Sequence, residues 1–324
     1  MRLDNSDLLT ICVPTCDQVV VLCEMLEDMI PKIRAYRFRL LIVDNCSSDN
    51  TRKVVESYFG CYEGLSYIRQ EKRLDRDDLF ETALKLPQTP YCWVIRDINR
   101  LNEACLSAVV DVLSEQAPDL YIVNYNGWSM DIPARMYEDK NSLLHDLGWR
   151  MVQPGAVIFS RNIIGIADFE KYKGAHFPCF SILFDTLAES DHVRVFWSGL
   201  DVIGESSISK DNSRNPRGVF QIYGVEWSKA VLALPDASYT KKAKLCCIRT
   251  LGKKARLYTG HHLKRQRVVG SLNPDIYKES YDYIRYFAPG NQLRFFFYSR
   301  YPNRFNKYYR RYHRYYRNTE SPLF

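Results

Sequence analysis

The sequence predicts an α/β fold, in which a three-layer sandwich with a mostly parallel sheet is followed by a basic, aromatic-rich helical C-terminal region. Three observations predict it. Short apolar runs recur along the chain and stop at polar residues, as strands buried on both faces do. Stretches with helical periodicity separate these runs, which is typical of alternating strands and helices. From Val231 onward the composition changes to basic and aromatic.

Charge divides the chain into two regions. The 324 residues carry a net charge of +7. From Val231 onward, 20 Lys and Arg stand against 5 Asp and Glu, whereas the preceding residues carry 25 and 33. We therefore predict one domain over residues 1–230 and a separate region over residues 231–324. Apolar residues make up 46% of the chain, which is enough for a sizeable core.

Cysteine usage and hydropathy indicate a compartment. The ten cysteines are scattered without a paired motif, and several lie in apolar runs, where a cysteine packs as a small hydrophobe. This is typical of a reducing cytoplasm. The N-terminus lacks the apolar core of a secretory signal, and no apolar run approaches the ~20 residues that cross a bilayer. We expect a cytoplasmic protein that is soluble or lies on a membrane surface.

The first predicted strand covers residues 8–15 and is halted by Pro14. A helix follows, with apolar residues at helical spacing as far as Ile30. Asp17 lies directly before it and is predicted to be its N-cap, because a short carboxylate satisfies the first backbone N–H groups of a helix.

The second predicted strand, residues 40–43, is apolar throughout and stops at Asp44. The Asp-Asn-Thr triplet beginning at residue 49 supplies N-cap chemistry for a helix over residues 51–58. Ligands in open α/β sheets bind at the carboxyl ends of the strands, so Asp44 is a candidate ligand residue. A purely local capping role for Asp44 is the alternative.

The same alternation predicts the remaining elements. The further strands cover residues 65–69, 91–97, 120–124, 155–160 and 193–197. The further helices cover residues 77–86, 101–113 and 177–188, the last of them started by Pro178.

With these elements placed, four motifs resemble those of family 2 glycosyltransferases with the GT-A fold. Residues 13–17 (Val-Pro-Thr-Cys-Asp) are similar to the end of the family's first strand. Residues 43–51 (Val-Asp-Asn-Cys-Ser-Ser-Asp-Asn-Thr) match its second-strand motif and are the most specific piece. Residues 73–77 resemble its third element, and residues 97–99 (Asp-Ile-Asn) fall on its Asp-x-Asp turn. The Tyr-x-Trp strand before that turn is closest in texture to bacterial O-antigen and abequosyl-type transferases.

The resemblance implies an inverting glycosyltransferase with a Rossmann-like GT-A domain. It would move a sugar from a nucleotide-sugar donor to a hydroxyl of a bacterial surface glycan (O-antigen of lipopolysaccharide, capsule or similar) on a lipid-linked acceptor. In this reading Asp44 binds the base, and Arg76 and Arg96 take up phosphate charge. The residues implied in donor binding are Pro14, Thr15, Asp17, Asp44, Asn45, Ser47, Arg76, Asp77, Arg96 and Asp97.

The resemblance also implies a divalent metal, Mg²⁺ or Mn²⁺, at Asp97 and Asn99. Such ions prefer hard, anionic oxygen ligands, and Asn99 offers an amide oxygen without charge. Arg96 lies directly before the turn, and a guanidinium pairs well with a diphosphate. Metal-dependent and metal-free catalysis both remain open at this stage.

The catalytic base is the second departure from the family pattern. Inverting members use a carboxylate, often in a Glu-Asp pair at a helix start, to deprotonate the acceptor hydroxyl. In this chain that position falls near residues 176–179, where no such pair stands. His176 is the nearest group that takes up a proton near neutral pH. Asp185 is the second candidate, and Asp168 and Glu170 are further ones.

The segment from Arg294 to Arg317 carries eight basic residues and eleven aromatic residues without an acid. Cationic side chains interleaved with rings are typical of a segment that lies in a membrane interface. We therefore expect peripheral contact with anionic lipid, at the cytoplasmic face of the inner membrane. The same composition also suits nucleic-acid binding, which ranks after membrane contact. A solvated helical face that packs its rings inward is the third alternative.

Two rival functions follow from these departures. Asn99 and the missing Glu-Asp pair fit a catalytically impaired GT-A protein that binds nucleotide. The basic tail fits a nucleic-acid-binding protein.

Overall fold

The chain forms two compact units in the computed structural model. The first comprises Met1–Asp139 and Gln153–Ser209, and the second comprises Lys140–Val152 and Lys210–Phe324. The structure describes residues 8–127, 131–153, 155–174, 177–190, 192–205, 220–268 and 270–302. The predicted functional boundary, with donor and acceptor binding confined to residues 1–230, stays a prediction.

Among the residues that the structure describes, the first unit contains a nine-stranded sheet. Its strands are β1 (Leu9–Thr15), β2 (Arg39–Asp44), β3 (Leu65–Arg69), β4 (Tyr91–Val94), β5 (Asn99–Leu101), β6 (Leu120–Tyr125), β7 (Arg135–Tyr137), β8 (Val157–Ser160) and β9 (Val195–Glu205). Their order is β3-β2-β1-β4-β8-β6-β9-β5, and β7 pairs with β9. Strands β1 to β4 form a continuous parallel half, and β8 enters antiparallel between β4 and β6. The predicted mostly parallel α/β sheet is confirmed.

The helices are α1 (Val19–Arg34), α2 (Thr51–Ser57), α3 (Arg76–Lys85), α4 (Leu106–Asp111), α5 (Lys140–Leu147), α6 (Arg161–Ile166), α7 (Pro178–Glu189), α8 (Trp227–Leu232), α9 (Lys241–Lys254), α10 (Gly260–Val268), α11 (Pro274–Phe287) and α12 (Gln292–Ser299). In the described residues, no helix is both long enough and apolar enough to span a membrane.

The core explains the parallel half of the sheet. Successive side chains of a strand point to opposite faces, and both faces of β1 are buried. Ile11 and Val13 are fully buried in the same apolar cluster as Met25 and Met29 of α1. On the other side of the sheet, α3 packs against β1 and β4. Helices therefore cover both faces, as in a three-layer sandwich.

Two predicted boundaries are wrong because of a pairing between distant segments. Strand β4 ends at Val94 rather than at residue 97, and the predicted helix at residue 101 starts only after Asn102. The cause is β5, because Asn99–Leu101 pairs antiparallel with Ile203–Glu205 at the end of β9. A three-residue strand held by a partner a hundred residues away leaves no periodic signal in the sequence.

The N-caps also differ from the predictions. Gln18, not Asp17, is the N-cap of α1, and Asp17 adopts a left-handed backbone conformation with φ 52°. The Asp49 carboxylate serves two helix starts, because it accepts hydrogen bonds from the backbone N–H groups of Val19 and Thr51, each at 3.0 Å. One side chain therefore ties the amino ends of α1 and α2 together.

The second unit is helical in its described part. Helix α9 packs against α5 and α11, and α12 packs against α10 and α11. Rings of Phe220, Phe287 and Phe295 meet with centroid distances of 5.8 Å between Phe295 and each of the other two. Such tilted and edge-on pairs add to the stability that apolar burial provides. For residues 231–268 and 270–302, the predicted helical character of the C-terminal region is confirmed.

Candidate active site

The site is built around Thr15, the last residue of β1. Thr15 is the register partner of Asp44 in β2. Its hydroxyl donates a hydrogen bond to Oδ2 of Asp97 at 3.1 Å, and its carbonyl oxygen accepts one from the backbone N–H of Asn45 at 2.9 Å. The carboxyl ends of β1, β2 and β4 therefore bring Asp44 and Asp97 to the same edge of the sheet, with Thr15 between them.

Asp44 is fully buried and its carboxylate is occupied by donors from the protein. Oδ1 accepts from the backbone N–H of Ser47 at 2.9 Å. Oδ2 accepts from the hydroxyl of Tyr67 at 2.5 Å and from Arg69 at 3.5 Å. Burial, together with the neighbouring Asp44 carboxylate, raises the pKa of Tyr67 to about 12. Asp44 therefore organises the loop after β2. The first N–H group of α2 bonds to Asp49 rather than to Asp44, and the role of Asp44 toward a base stays a prediction.

The contacts of Tyr67 and Arg69 with Asp44 were not predicted from the sequence. Both lie on β3, and Arg69 is the register partner of Asp44 across the β2–β3 pair. A buried carboxylate requires hydrogen-bonding partners, and a basic residue at the end of the next strand was the available signal.

A second group of contacts ties the end of β1 to the loop after β2. Asp17 accepts hydrogen bonds from the backbone N–H of Ser48 at 2.7 Å and from Arg73 at 3.2 Å. Its backbone N–H donates to the hydroxyl of Ser47 at 3.0 Å. The bonds from Ser48, assisted by Arg73, lower the pKa of Asp17. Asp17 and Ser47, two predicted donor-binding residues, are thus in direct contact.

Asn45 connects this loop to the segment before α3. Its amide oxygen accepts from the backbone N–H of Leu74 at 2.7 Å, and its amide nitrogen donates to the carbonyl of Leu74 at 3.0 Å. Pro14 precedes Thr15 in β1 and pairs in register with Val43. Asn45 therefore ties the loop after β2 to the segment before α3, and the donor-binding roles of Asn45 and Pro14 stay predictions.

Asp97 and Asn99 face different surroundings. Burial raises the pKa of Asp97, and the Thr15 hydroxyl and nearby Arg96 only partly oppose that rise. Asn99 is fully buried. Its amide oxygen accepts from the backbone N–H of Arg96 at 2.7 Å, and its amide nitrogen donates to the Tyr125 hydroxyl at 2.6 Å. Asn99 therefore holds the turn from inside, and its geometry argues against the predicted role as a metal ligand.

Arg96 belongs to a cluster that the sequence did not reveal. Its guanidinium donates to the Glu205 carboxylate and to the Tyr125 hydroxyl, the latter at 3.1 Å. Tyr125 in turn donates to Glu205 at 2.9 Å. Glu205 is the register partner of Asn99 across β5 and β9. The cluster fixes the guanidinium beside the turn that carries Asp97.

Arg76 and Asp77 lie at the start of α3. Asp75 is the N-cap, and its carboxylate accepts from the backbone N–H groups of Asp77 and Asp78, each at 2.9 Å. Asp77 accepts from the backbone N–H of Gly174 at 2.8 Å, which anchors the segment before α7. Arg76 is mostly exposed, with its Nε 3.7 Å from Asp77.

The candidates for the catalytic base have different surroundings. His176 lies outside the described residues. Asp185 lies within α7 and accepts a hydrogen bond at 2.5 Å from the Lys171 ammonium, whose pKa this contact raises. This contact engages the Asp185 carboxylate, so the geometry argues against Asp185 as the group that takes up the acceptor proton. Asp168 accepts from the backbone N–H of Lys171 at 3.2 Å, and Glu170 is 2.6 Å from Lys173.

The fit of the turn to a divalent ion rests on Asp97. Within the part of the chain that the structure describes, no group of three or more His, Cys, Asp or Glu side chains is placed to hold a metal. Asp97 nevertheless offers a hard anionic oxygen, and its raised pKa shows that burial disfavours its charge. A cation would relieve that cost. The residues present therefore fit an ion held by Asp97 together with oxygens of a bound ligand.

Comparisons with known proteins agree with this architecture. The family model described as glycosyl transferase family 2 matches residues 10–180. No curated protein matches the chain in sequence.

Solved structures share the fold. S. aureus TarS 1-349 in complex with UDP-GlcNAc is 14% identical with a TM-score of 0.55, and the match covers 97% of this chain and 92% of that one. The mannosyltransferase PcManGT from Pyrobaculum calidifontis, in complex with GDP-Man and Mn²⁺, is 13% identical with a TM-score of 0.54, over 92% and 87% of the chains. At this identity the likeness establishes the fold.

Proposed function

The chain belongs to glycosyl transferase family 2, and from that membership we propose that it moves a sugar from a nucleotide-sugar donor to an acceptor hydroxyl with inversion. The observation that carries the proposal is the Thr15 arrangement. Thr15 neighbours Asp44 across the β1–β2 register and donates to Asp97 at 3.1 Å. Two acids therefore lie at the carboxyl edge of a parallel sheet, where α/β proteins bind nucleotides.

Each end of the donor has a proposed partner. The base lies over the loop that Asp44 organises, beside Asp17 and Ser47. The diphosphate lies at Asp97, with the guanidinium of Arg96 adding positive charge as the leaving group becomes more anionic. Glu205 is a positioning residue in this scheme, because it holds Arg96 in place.

The metal has a limited role in the proposal. Mg²⁺ or Mn²⁺ held by Asp97 and the donor phosphates would supply charge neutralisation for the leaving diphosphate. PcManGT carries Mn²⁺ together with GDP-Man, which supports a similar requirement here. The protein's own part is to hold Asp97 toward the ligand through Thr15. His176 is our proposed acceptor of the hydroxyl proton.

We propose as acceptor a lipid-linked bacterial surface glycan, and as location the cytoplasmic face of the inner membrane. Helix α12 supports membrane contact, since Leu293, Phe296 and Phe297 have the i, i+3, i+4 spacing of one helix face. Leu293 is 72% exposed and Phe297 is 67% exposed. The Arg300 guanidinium lies 3.8 Å from the ring centre of Phe296, so a cation accompanies this face, as expected of an interfacial helix. The part of the predicted membrane-contacting segment beyond residue 302 lies outside the described residues.

Donor turnover tests the function. The full chain is incubated with sugars of uridine, guanosine and deoxythymidine diphosphate, with Mn²⁺ or with EDTA, and free nucleoside diphosphate is measured. We expect one donor to raise the melting temperature and to be hydrolysed slowly without an acceptor, because water replaces the hydroxyl. If no donor raises the melting temperature or is turned over, the proposal fails.

The rival function has its own signature in the same experiment. Because Asn99 is turned into the fold, a protein that binds donor without transferring sugar is the second candidate. It predicts a rise in melting temperature with no nucleoside diphosphate released, whichever acceptor is added.

Vesicle flotation tests the membrane contact. We expect the double substitution Leu293→Ser and Phe297→Ser to reduce flotation with anionic vesicles about tenfold or more, because two exposed apolar side chains contribute on the order of 1.5–3 kcal/mol each when buried. Leu200→Ser is the matched control, since Leu200 is an exposed leucine of the first unit. Equal flotation of both variants and the wild type would rule out docking through α12.

A further inference from the structure

A pocket of about 700 Å³ opens in the first unit, lined by three arginines and by the segment 61–66. The arginines are Arg34 at the end of α1, Arg39 at the start of β2, and Arg37 between them. One acid, Glu63, lines the same pocket. Its volume falls in the range of small-molecule sites, about 300–1,000 Å³.

The pocket lies far from the candidate site at Thr15. Helix α1 starts at Val19, two residues after Asp17 of that site, and its 16 residues end at Arg34. At about 1.5 Å per residue this length is roughly 24 Å. Strand β2 likewise runs from Arg39 in the pocket to Asp44 in the candidate site, about 16 Å at ~3.3 Å per residue. The two sites occupy opposite ends of the same elements.

The pocket wall carries net positive charge, whereas the first 230 residues as a whole carry net negative charge. The first 230 residues carry 25 Lys and Arg against 33 Asp and Glu, whereas the pocket wall contains three arginines and one acid. All three arginines are exposed to solvent. The Arg34 guanidinium donates to the carbonyl of Cys61 at 2.5 Å, which fixes it at the pocket wall.

One of the three arginines lies where the helix dipole favours a cation. Arg34 lies in the last turn of α1, where a cation complements the negative end of the helix dipole. Arg37 has φ 53°, a left-handed conformation that costs a side chain about 1–2 kcal/mol and favours glycine. Arg39 is the first residue of β2 and is exposed. Chain reversal between α1 and β2 therefore does not call for arginine at residues 37 and 39.

We propose that this pocket binds a phosphate group, carried either by a soluble phosphate ester or by a phospholipid headgroup. Guanidinium groups present paired N–H donors that match the oxygens of a phosphate, and they form charge-assisted hydrogen bonds with it. The phosphate site lies at the amino edge of the sheet, and the candidate donor site lies at the carboxyl edge.

The test compares two double variants of the full chain that each remove two positive charges. Arg37→Gly with Arg39→Gln removes charges from the pocket, and glycine suits the left-handed position. Arg52→Gln with Lys53→Gln is the matched control, since both residues are exposed on α2. Melting temperatures establish that each variant is folded, and Arg39→Gln alone replaces the first double variant if that variant does not fold.

Binding is measured by calorimetry with inorganic pyrophosphate and by co-sedimentation with phosphatidylcholine vesicles, with and without about one third phosphatidylglycerol. We expect the pocket variant to weaken one of these interactions about tenfold and the control to leave it within about twofold. Loss of pyrophosphate binding identifies a soluble phosphate ester as the ligand class, and loss confined to anionic vesicles identifies a lipid headgroup. Equal behaviour of the two variants, whether both weaken or neither does, overturns the proposal. Nucleotide-sugar binding stays unchanged in the pocket variant whether or not the proposed transfer activity is correct.

Discussion

Asp97→Asn is expected to lower the rate of sugar transfer by about 10²–10³-fold while the chain stays folded. The substitution keeps the shape of the side chain and its hydrogen bond with Thr15, but it removes the charge that would hold a cation and the donor diphosphate. The magnitude follows from the loss of one preorganised electrostatic contact at a developing charge. Steady-state release of nucleoside diphosphate measures it. Asp111→Asn, at an exposed position of α4, is the matched control and should retain full activity.

The same substitution is expected to raise the free energy of unfolding at neutral pH. Burial raises the pKa of Asp97 in the folded chain above its unfolded value. The folded state therefore holds the proton to higher pH, and wild-type stability falls as the pH rises from the ordinary aspartate range through the raised folded pKa. Asp97→Asn lacks this loss, so it should be the more stable protein at neutral pH. Denaturant unfolding at neutral and acidic pH measures the difference, which should shrink as the pH falls. A variant that is less stable at neutral pH and equally active would contradict the role of Asp97.

Gly252→Ala is expected to destabilise the second unit by about 1–3 kcal/mol, as overpacking of a filled core does. Gly252 lies within α9, and a Cβ there would lie 2.4 Å from the carbonyl oxygen of Phe287 at the end of α11. The close approach of two helices explains why a helix former is excluded at this position. Chemical denaturation monitored by circular dichroism measures the change.

Gly165→Ala is the matched control for this prediction, because a Cβ at that position of α6 meets no atom within 4 Å. Replacing an exposed helical glycine by alanine normally stabilises by roughly 0.5–1 kcal/mol. The two substitutions are chemically identical and should therefore have opposite signs. A stabilising Gly252→Ala would show that α9 and α11 do not approach each other as the structure describes.

The parallel half of the sheet could be predicted from the sequence because its signals are local. Each of β1, β2 and β4 is a buried apolar run, and each ends near a residue of the candidate site. The motif match over residues 43–51 located the loop that Asp17, Asn45 and Ser47 hold together. The family and the GT-A fold that these motifs indicated are confirmed. The finer resemblance to O-antigen and abequosyl-type transferases stays a prediction.

The partners of the predicted site residues could not be found in the same way, because they depend on pairing between distant segments. Tyr67 and Arg69 reach Asp44 only through the β2–β3 register. Glu205 reaches Arg96 only because the end of β9 pairs with β5 across about a hundred residues of chain. The inward turn of Asn99 has the same origin, since its amide bonds to Tyr125 on β6. Such contacts leave no periodicity in the sequence.

The pocket between α1, β2 and β3 shows a different limit of sequence reasoning. Arg34, Arg37 and Arg39 are close in sequence, but a helix end and a turn usually carry solvated charges. Only the fold shows that they line one pocket with residues 61–66.

A crystal structure of the full chain with Mn²⁺ and the nucleotide-sugar that it turns over tests the central claim most directly. We expect the diphosphate beside Asp97 and the nucleoside over the loop after β2, with Thr15 between the two. A donor bound at another edge of the sheet, with Asp97 still bonded to Thr15 and facing no phosphate, would contradict it.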